Sequence, residues 1–143
     1  MKRWTWIALA VVLGLVSMVL VASCGGGDDE SSEGGTTTIG DVAANDHGTK
    51  DVSGESRVEV ELDDDYFEPT VLEGKAGERV TLELKNEGSN EHNLTIDELN
   101  IDQDVEAGDE TEVEVTFPDS GTLTFYCKYH RGQGMAGAFR TAS

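Results

Sequence analysis

From Arg57 onward, apolar and polar residues alternate in short runs, and this period of two is what most limits the folds open to the chain. Val58, Val60 and Leu62 make the first run, and Val80, Leu82 and Leu84 the second. Leu94 and Ile96 follow, then Val113, Val115 and Phe117, then Leu123 and Phe125. Successive side chains of a strand point to opposite faces, so each run reads as a strand with one face buried and one in water. Turn residues cluster between the runs, at Glu73-Gly74-Lys75-Ala76-Gly77, Asn86-Glu87-Gly88, Ala107-Gly108-Asp109 and Pro118-Asp119-Ser120-Gly121. No helix of normal length is visible. The pattern predicts an all-β domain of antiparallel strands over residues 55–143, a small sandwich or barrel.

The rest of the 143 residues reads as appendage. Lys2 and Arg3 precede an almost wholly apolar stretch, Trp4 to Val21, and Val21-Ala22-Ser23-Cys24 ends in small residues and a cysteine. That order fits an export signal over residues 1–23, and its ending resembles the lipobox of bacterial lipoproteins. The resemblance implies cleavage before Cys24 and lipid on its thiol and new amino terminus, with more than one acyl chain giving stable anchoring. An uncleaved anchor is the alternative, because about 18 apolar residues approaches the length that spans a bilayer. Either way the domain is expected outside the cytoplasm, on the periplasmic or extracellular side of a bacterial-type membrane. Residues 24–54 are rich in Gly, Ser, Thr, Asp and Glu and predict a disordered tether spanning roughly 30 Å. His47 falls inside it and is expected to be solvated, with no metal role.

Charge excludes one class of partner. Without Lys2 and Arg3, eight basic residues face 29 acidic ones, and the formal charge is −21 rather than the −19 of the full chain. Such a surface repels phosphate backbones, so nucleic acid is not a partner. It would steer a basic redox protein toward the domain, or serve solubility alone.

The chemistry gathers near the C-terminus, in Cys127-Lys128-Tyr129-His130-Arg131-Gly132-Gln133-Gly134-Met135. Cys127 is in phase with Leu123 and Phe125, so its sulfur should face the core at a strand end. His92 is in phase with Leu94 and Ile96 and should face inward at the start of its strand. His130 and Met135 follow in the loop, which Gly132, Gly134 and Gly137 would allow to curl. Two His, one Cys and a weak Met form the ligand set of a blue-copper electron-transfer site. Each residue alone has a plainer reading, since a single buried Cys or Met is ordinarily core filler and an inward His an ordinary hydrogen-bonded core residue. Cysteine count adds weight: if Cys24 carries lipid, Cys127 has no disulfide partner.

Glu91-His92-Asn93-Leu94 together with the loop from Cys127 to Gly137 resembles the small cupredoxins, plastocyanin in particular. That resemblance implies an antiparallel Greek-key sandwich holding one copper ion that cycles between Cu(I) and Cu(II). It implies His92, Cys127 and His130 as equatorial ligands and Met135 as the long axial one. It also implies that Asn93 braces the ligand loops and that Tyr126 lies on the path of the electron. The stretch between His92 and Cys127 is shorter than in plastocyanin, and Glu91 replaces a glycine that azurin-like proteins place near the metal. The implied function is a membrane-tethered, monomeric carrier of single electrons, serving a c-type cytochrome, a cytochrome complex or a terminal oxidase. A copper chaperone or resistance protein with the same fold is the alternative. Catalysis is not expected, because the sequence offers no second histidine cluster and one loop cysteine.

Overall fold

The computed structural model describes residues 34–142, so the expected signal segment and Cys24 lie outside the described residues. The strands are β1 (Gly35–Ile39), β2 (Val42–Asp46), β3 (Thr49–Asp51), β4 (Arg57–Asp63), β5 (Tyr66–Glu68) and β6 (Val71–Gly74). They continue as β7 (Arg79–Asn86), β8 (His92–Ile96), β9 (Ile101–Val105), β10 (Glu110–Thr116), β11 (Thr122–Tyr126) and β12 (Ala136–Thr141). Helical structure among the described residues is limited to 3-10 turns at Asp97–Leu99 and Arg131–Gln133.

Two sheets face each other as the alternation predicts. One has the order β10-β7-β4-β5, the other β3-β6-β12-β11-β8-β9, and β1-β2 forms a separate hairpin. Most neighbours are antiparallel, but β4 runs parallel to β7, and β6 parallel to both β3 and β12, because the chain changes sheets between them. Val58, Val60 and Leu62 of β4 and Val80, Leu82 and Leu84 of β7 bury against Leu94, Ile96, Leu123, Phe125 and Phe139 of the other sheet. Each such side chain contributes about 1.5–3 kcal/mol on leaving water. Aromatic edges lock the layers: Phe67 meets Phe125 at 5.0 Å between centroids and 82°, and Phe117 meets Phe139 at 5.4 Å and 86°. A Cβ on Gly137 would overlap the Phe125 ring and the Thr70 carbonyl, so glycine is what lets β12 run this close.

The expected boundary at residue 55 needs correction. Residues 35–51, expected to be tether, are strands β1 to β3, and Val52 is buried in the main core. The β1-β2 hairpin covers the outer face of the larger sheet, where Ile39 and Ala44 bury with Val71, Ala136 and Ala138, beside Val42 and Tyr126. Small residues on both sides allow close approach with little apolar mass, so composition underrates the contact. Threonine, which looked like tether material, is also a good strand former. His47 is therefore not free in solvent. Its ring stacks on Tyr66 with centroids 3.4 Å apart and planes within 5°, and its Nδ1 lies 3.6 Å from Glu68.

Much of the acidic excess lies on the outer face of the smaller sheet. Glu59, Glu83 and Glu112 stand side by side in register across β4, β7 and β10. Arg57 alone bridges two of them, with its Nη1 2.5 Å from both Glu83 and Glu112. Partial burial, with neighbouring Glu68, Glu59 and Glu87 adding to it, pushes the Glu61 carboxyl above its ordinary range. Directly opposed like charges destabilise a sheet, and the Debye length shrinks from about 10 Å at 0.1 M salt to about 3 Å at 1 M. Raising KCl from 0.1 to 1 M should therefore raise the thermal midpoint, at roughly 4–8 °C per kcal/mol of relieved repulsion. Glu59→Gln should reduce that salt dependence. A midpoint that falls with KCl in calorimetry would show that ion pairing outweighs repulsion on this face.

Candidate metal centre

Strand pairing brings the donors to one end of the sandwich. β8 and β11 are antiparallel, with Tyr126 at the end of β11 opposite Thr95, so β8 back to His92 runs beside the chain that leaves β11 at Cys127. His92 opens β8, and Cys127 follows β11 directly. The chain then makes a closed loop: Cys127 N–H donates to the Met135 carbonyl at 3.0 Å, and Met135 N–H donates to the His130 carbonyl at 3.2 Å. Of the three glycines expected to shape this loop, Gly134 carries the unusual conformation, at φ +98°. Gly137 lies within β12 instead, where its role is the close packing described above.

His92 Nδ1 lies 3.1 Å from His130 Nδ1, and Cys127 Sγ lies 3.5 Å from that same nitrogen. The three donor atoms lie within 4.8 Å of one another. His92, Cys127 and Met135 are fully buried, while the His130 side chain keeps 18% of its surface in solvent. Burial pushes the Cys127 thiol above its ordinary range, against backbone N–H groups of Tyr129, His130 and Asn93 that favour the thiolate. Burial likewise holds His92 below its ordinary range, so the ring is neutral near pH 7, the form in which imidazole binds a metal.

This donor set fits one copper ion. A small ion with bonds of about 2.0 Å to nitrogen and 2.3 Å to sulfur holds its ligand atoms about 3.1–3.6 Å apart at near-tetrahedral angles. The two closest separations fall in that interval, and a soft thiol beside two imidazoles suits copper rather than a hard cation. Met135 shares the core cluster that contains Cys127.

The surrounding chain holds the donors. Asn93 is fully buried; its Nδ2 donates to Asp102 and Asp104 at 2.8 Å each, and its Oδ1 accepts from Thr95 Oγ1 at 2.5 Å and the Lys128 N–H at 3.4 Å. Lys128 Nζ in turn lies 2.8 Å from both Asp102 and Asp104. Tyr126 packs against the hairpin cluster, whereas Cys127 lies in the main core; the Tyr126 hydroxyl donates to Asp97 at 3.1 Å, and the Arg131 guanidinium covers its ring at 4.5 Å.

Three residues near the donors escaped the sequence reading. Asp64 and Asp65 occupy the turn between β4 and β5; Asp64 Oδ1 lies 3.1 Å from His92 Nε2, and Asp65 Oδ1 3.9 Å from His130 Nδ1. The third is Asn45 of β2, whose Nδ2 donates to the Gln133 and Asp65 carbonyls at 3.0 Å each, while its N–H donates to the Gly134 carbonyl at 2.9 Å. An acidic turn and an Asn in a polar segment carry no periodic signal, so nothing in one sequence marks them. Asn45 ties the N-terminal hairpin to the ligand loop. Asn45→Ala leaves two carbonyls without their donor, and should destabilise the domain by about 1–3 kcal/mol. Amide exchange at Gly134 and Met135 should accelerate as well. Unchanged loop exchange, read by hydrogen–deuterium NMR, would mean that the hairpin packs beside the loop without bracing it.

Comparison with known proteins agrees with this geometry. A family model described as a cupredoxin-like domain matches residues 38–138. Plastocyanin A/B of Petroselinum crispum is 35% identical over 81 residues, covering 50% of this chain and 81% of the relative. An auracyanin from Roseiflexus castenholzii superposes with a TM-score of 0.54 at 19% identity, covering 62% of this chain and 98% of its own. Auracyanin A of Chloroflexus aurantiacus, described as a blue copper protein, superposes at 0.52 and 19%, covering 66% of this chain and 100% of its own.

Proposed function

Because the chain belongs to the cupredoxin-like family, we propose that it is a membrane-tethered mononuclear blue-copper protein that passes single electrons between redox partners outside the cytoplasm. The observation that carries this reading is the buried meeting of His92 Nδ1, His130 Nδ1 and Cys127 Sγ. His92, Cys127 and His130 would hold the ion equatorially, with Met135 as the weak axial ligand. When bound, copper supplies a one-electron couple between Cu(I) and Cu(II). The protein's part is to keep the donors where both oxidation states are served. The loop hydrogen bonds at Cys127 and Met135 and the Asn93 network resist rearrangement when charge changes. His130, the ligand with an edge in solvent, is the port through which a partner would couple. Tyr126, next to Cys127 and partly covered by the hairpin, gives a second route toward the surface near Asp97.

A protein that hands its metal over must open the site to a recipient. Here three of the four proposed ligands are fully buried, which favours an electron carrier over a copper chaperone. Cys24 is the proposed lipid attachment, after cleavage of residues 1–23, with the domain on the periplasmic or extracellular side. The acidic surface suits a partner with a basic docking face, such as a c-type cytochrome, a cytochrome complex or a terminal oxidase.

The test is spectroscopic. One equivalent of Cu(II) should give an intense blue band and narrow copper hyperfine splitting, both bleached reversibly by a mild reductant. A pale spectrum like that of an ordinary Cu(II) complex would sink the electron-carrier reading. Met135→Gln should keep the copper and lower the midpoint potential, since the axial ligand tunes it. An unchanged potential in that variant would remove Met135 from the ligand set.

A further inference from the structure

The turn between β4 and β5 reads Asp63-Asp64-Asp65-Tyr66, three successive acids in a protein already overloaded with negative charge. Its middle member is held with unusual care. Asp64 Oδ1 accepts from Asn90 Nδ2 at 3.0 Å and from the Ser89 N–H at 3.3 Å; Oδ2 accepts from the same N–H at 3.2 Å and from the Ser89 hydroxyl. The remaining direction of Oδ1 is toward His92 Nε2, 3.1 Å away. Three donors converge on this carboxyl, the Ser89 N–H, the Ser89 hydroxyl and Asn90 Nδ2, which are the surroundings of a hydrogen-bonded carboxylate anion.

The segment that supplies these donors is itself fixed from the core. Asn86 is buried; its Nδ2 donates to the Asn90 and Val105 carbonyls at 2.8 Å each, and its Oδ1 accepts from the Gly88 N–H at 3.0 Å. Gly88 also donates to the Leu62 carbonyl at 3.2 Å. A Cβ at Gly88 would stand 2.7 Å from both Asp64 Oδ1 and His92 Nε2. Residues 86–90 thus wrap the junction between one carboxylate and one imidazole, at a distance that excludes any side chain at position 88.

An ionised carboxylate accepts hydrogen bonds and cannot donate them. Contact with Asp64 therefore puts the proton of the neutral His92 ring on Nε2 and leaves the lone pair on Nδ1, the atom that faces His130 and Cys127. Fixing the tautomer and raising the basicity of a ligand imidazole is what a carboxylate in this position does in metal sites generally. His130, by contrast, has an edge in solvent, so the two imidazoles have different surroundings.

We propose that Asp64 is a positioning residue for the copper site: held by Ser89 and Asn90, it fixes His92 in the tautomer that presents Nδ1 to the metal, and its negative charge favours Cu(II) over Cu(I). The proposal rests on the copper reading above, and its first test does not need copper. In the metal-free full chain in detergent micelles, long-range proton–nitrogen NMR should show neutral His92 as the Nε2–H tautomer. A mixed or Nδ1–H tautomer overturns the proposal whether or not the protein binds copper.

Two variants then separate geometry from charge. Asp64→Asn keeps an acceptor of the same shape and removes the charge. Its tautomer should be retained while the copper-loaded protein becomes about tenfold more reduced in a fixed redox buffer, a shift of about 59 mV for a one-electron couple. Asp64→Ala removes the acceptor as well, so the tautomer should become mixed and copper affinity should fall about 10- to 100-fold. An unchanged or lowered potential in Asp64→Asn overturns the electrostatic part. An unchanged tautomer in Asp64→Ala overturns the positioning part. Should either variant fail to fold, the tautomer of the unaltered chain still decides the question of position.

Discussion

Two imidazole nitrogens and a thiol meet inside one end of the sandwich, shielded from water and close enough that each must be held against its neighbours. Desolvated polar groups are tolerated only when their partners are in place. Much of what is unusual at this end follows from that demand. β8 and β11 deliver His92 and Cys127, which is the part that a generic sandwich provides. The turn carrying Asp64 and Asp65, the segment 86–90 and the N-terminal hairpin then close over the donors from other directions. Among the described residues no buried side-chain nitrogen or oxygen lacks a hydrogen-bond partner, so the polar cluster is enclosed without stranding a group.

The strands that could be read from the sequence are those in which apolar and polar residues alternate. β4 and β7 alternate strictly along their length, and the parity of Leu123, Phe125 and Cys127 carries directly into the burial of the thiol. β8 was legible although buried along its length, because Asn93 and Thr95 alternate with Leu94 and Ile96, but other strands covered on both faces gave no such signal. β6 and the first part of β12 are buried on both sides because the hairpin roofs them, and Ala136, Gly137 and Ala138 look like loop in isolation. The hairpin escaped for the complementary reason, since its side of the contact is made by Ile39, Ala44 and the partly buried Val42 among polar residues. Ligand candidates were legible because thiol, imidazole and thioether are chemically rare. Asp64 and Asn45 act by position, and position depends on pairings that one sequence does not display.

The acidic excess is two populations with different physics. Near the centre, carboxylates are engaged: Asp102 and Asp104 fix Lys128 and Asn93, Asp41 lies 2.7 Å from Arg131, and Asp64 takes up three donors besides facing His92. On the outer face of the smaller sheet, glutamates stand in register and outnumber Arg57, Arg79 and Lys85, which pair with some of them. The first population shapes the site and the second only loads the fold. A formal charge of −19 is therefore not evidence of a docking surface in itself. The acids beside His130 and Tyr126 are largely occupied by the protein's own cations and amides, so an incoming basic partner would have to compete with Lys128 and Arg131 for them.

That competition bears on how the carrier would release its partners. Lys128 and Arg131 stand two residues before and one after His130 in the chain and belong to the ligand loop itself. Arg131 is tied to Asp41 on the hairpin and lies over Tyr126, so the loop, the hairpin and the residue next to Cys127 share one cation. Both cations are paired, Lys128 with Asp102 and Asp104 and Arg131 with Asp41, so a basic partner drawn to the acidic surface would have to displace them to reach these carboxylates. Under the proposed electron-carrier reading, attraction over distance combined with that competition at contact would give fast arrival and short residence. The buried side of the site has the opposite character. His92 is enclosed and faces a fixed carboxyl group, so under the proposed reading it would anchor the metal while His130 would meet the partner.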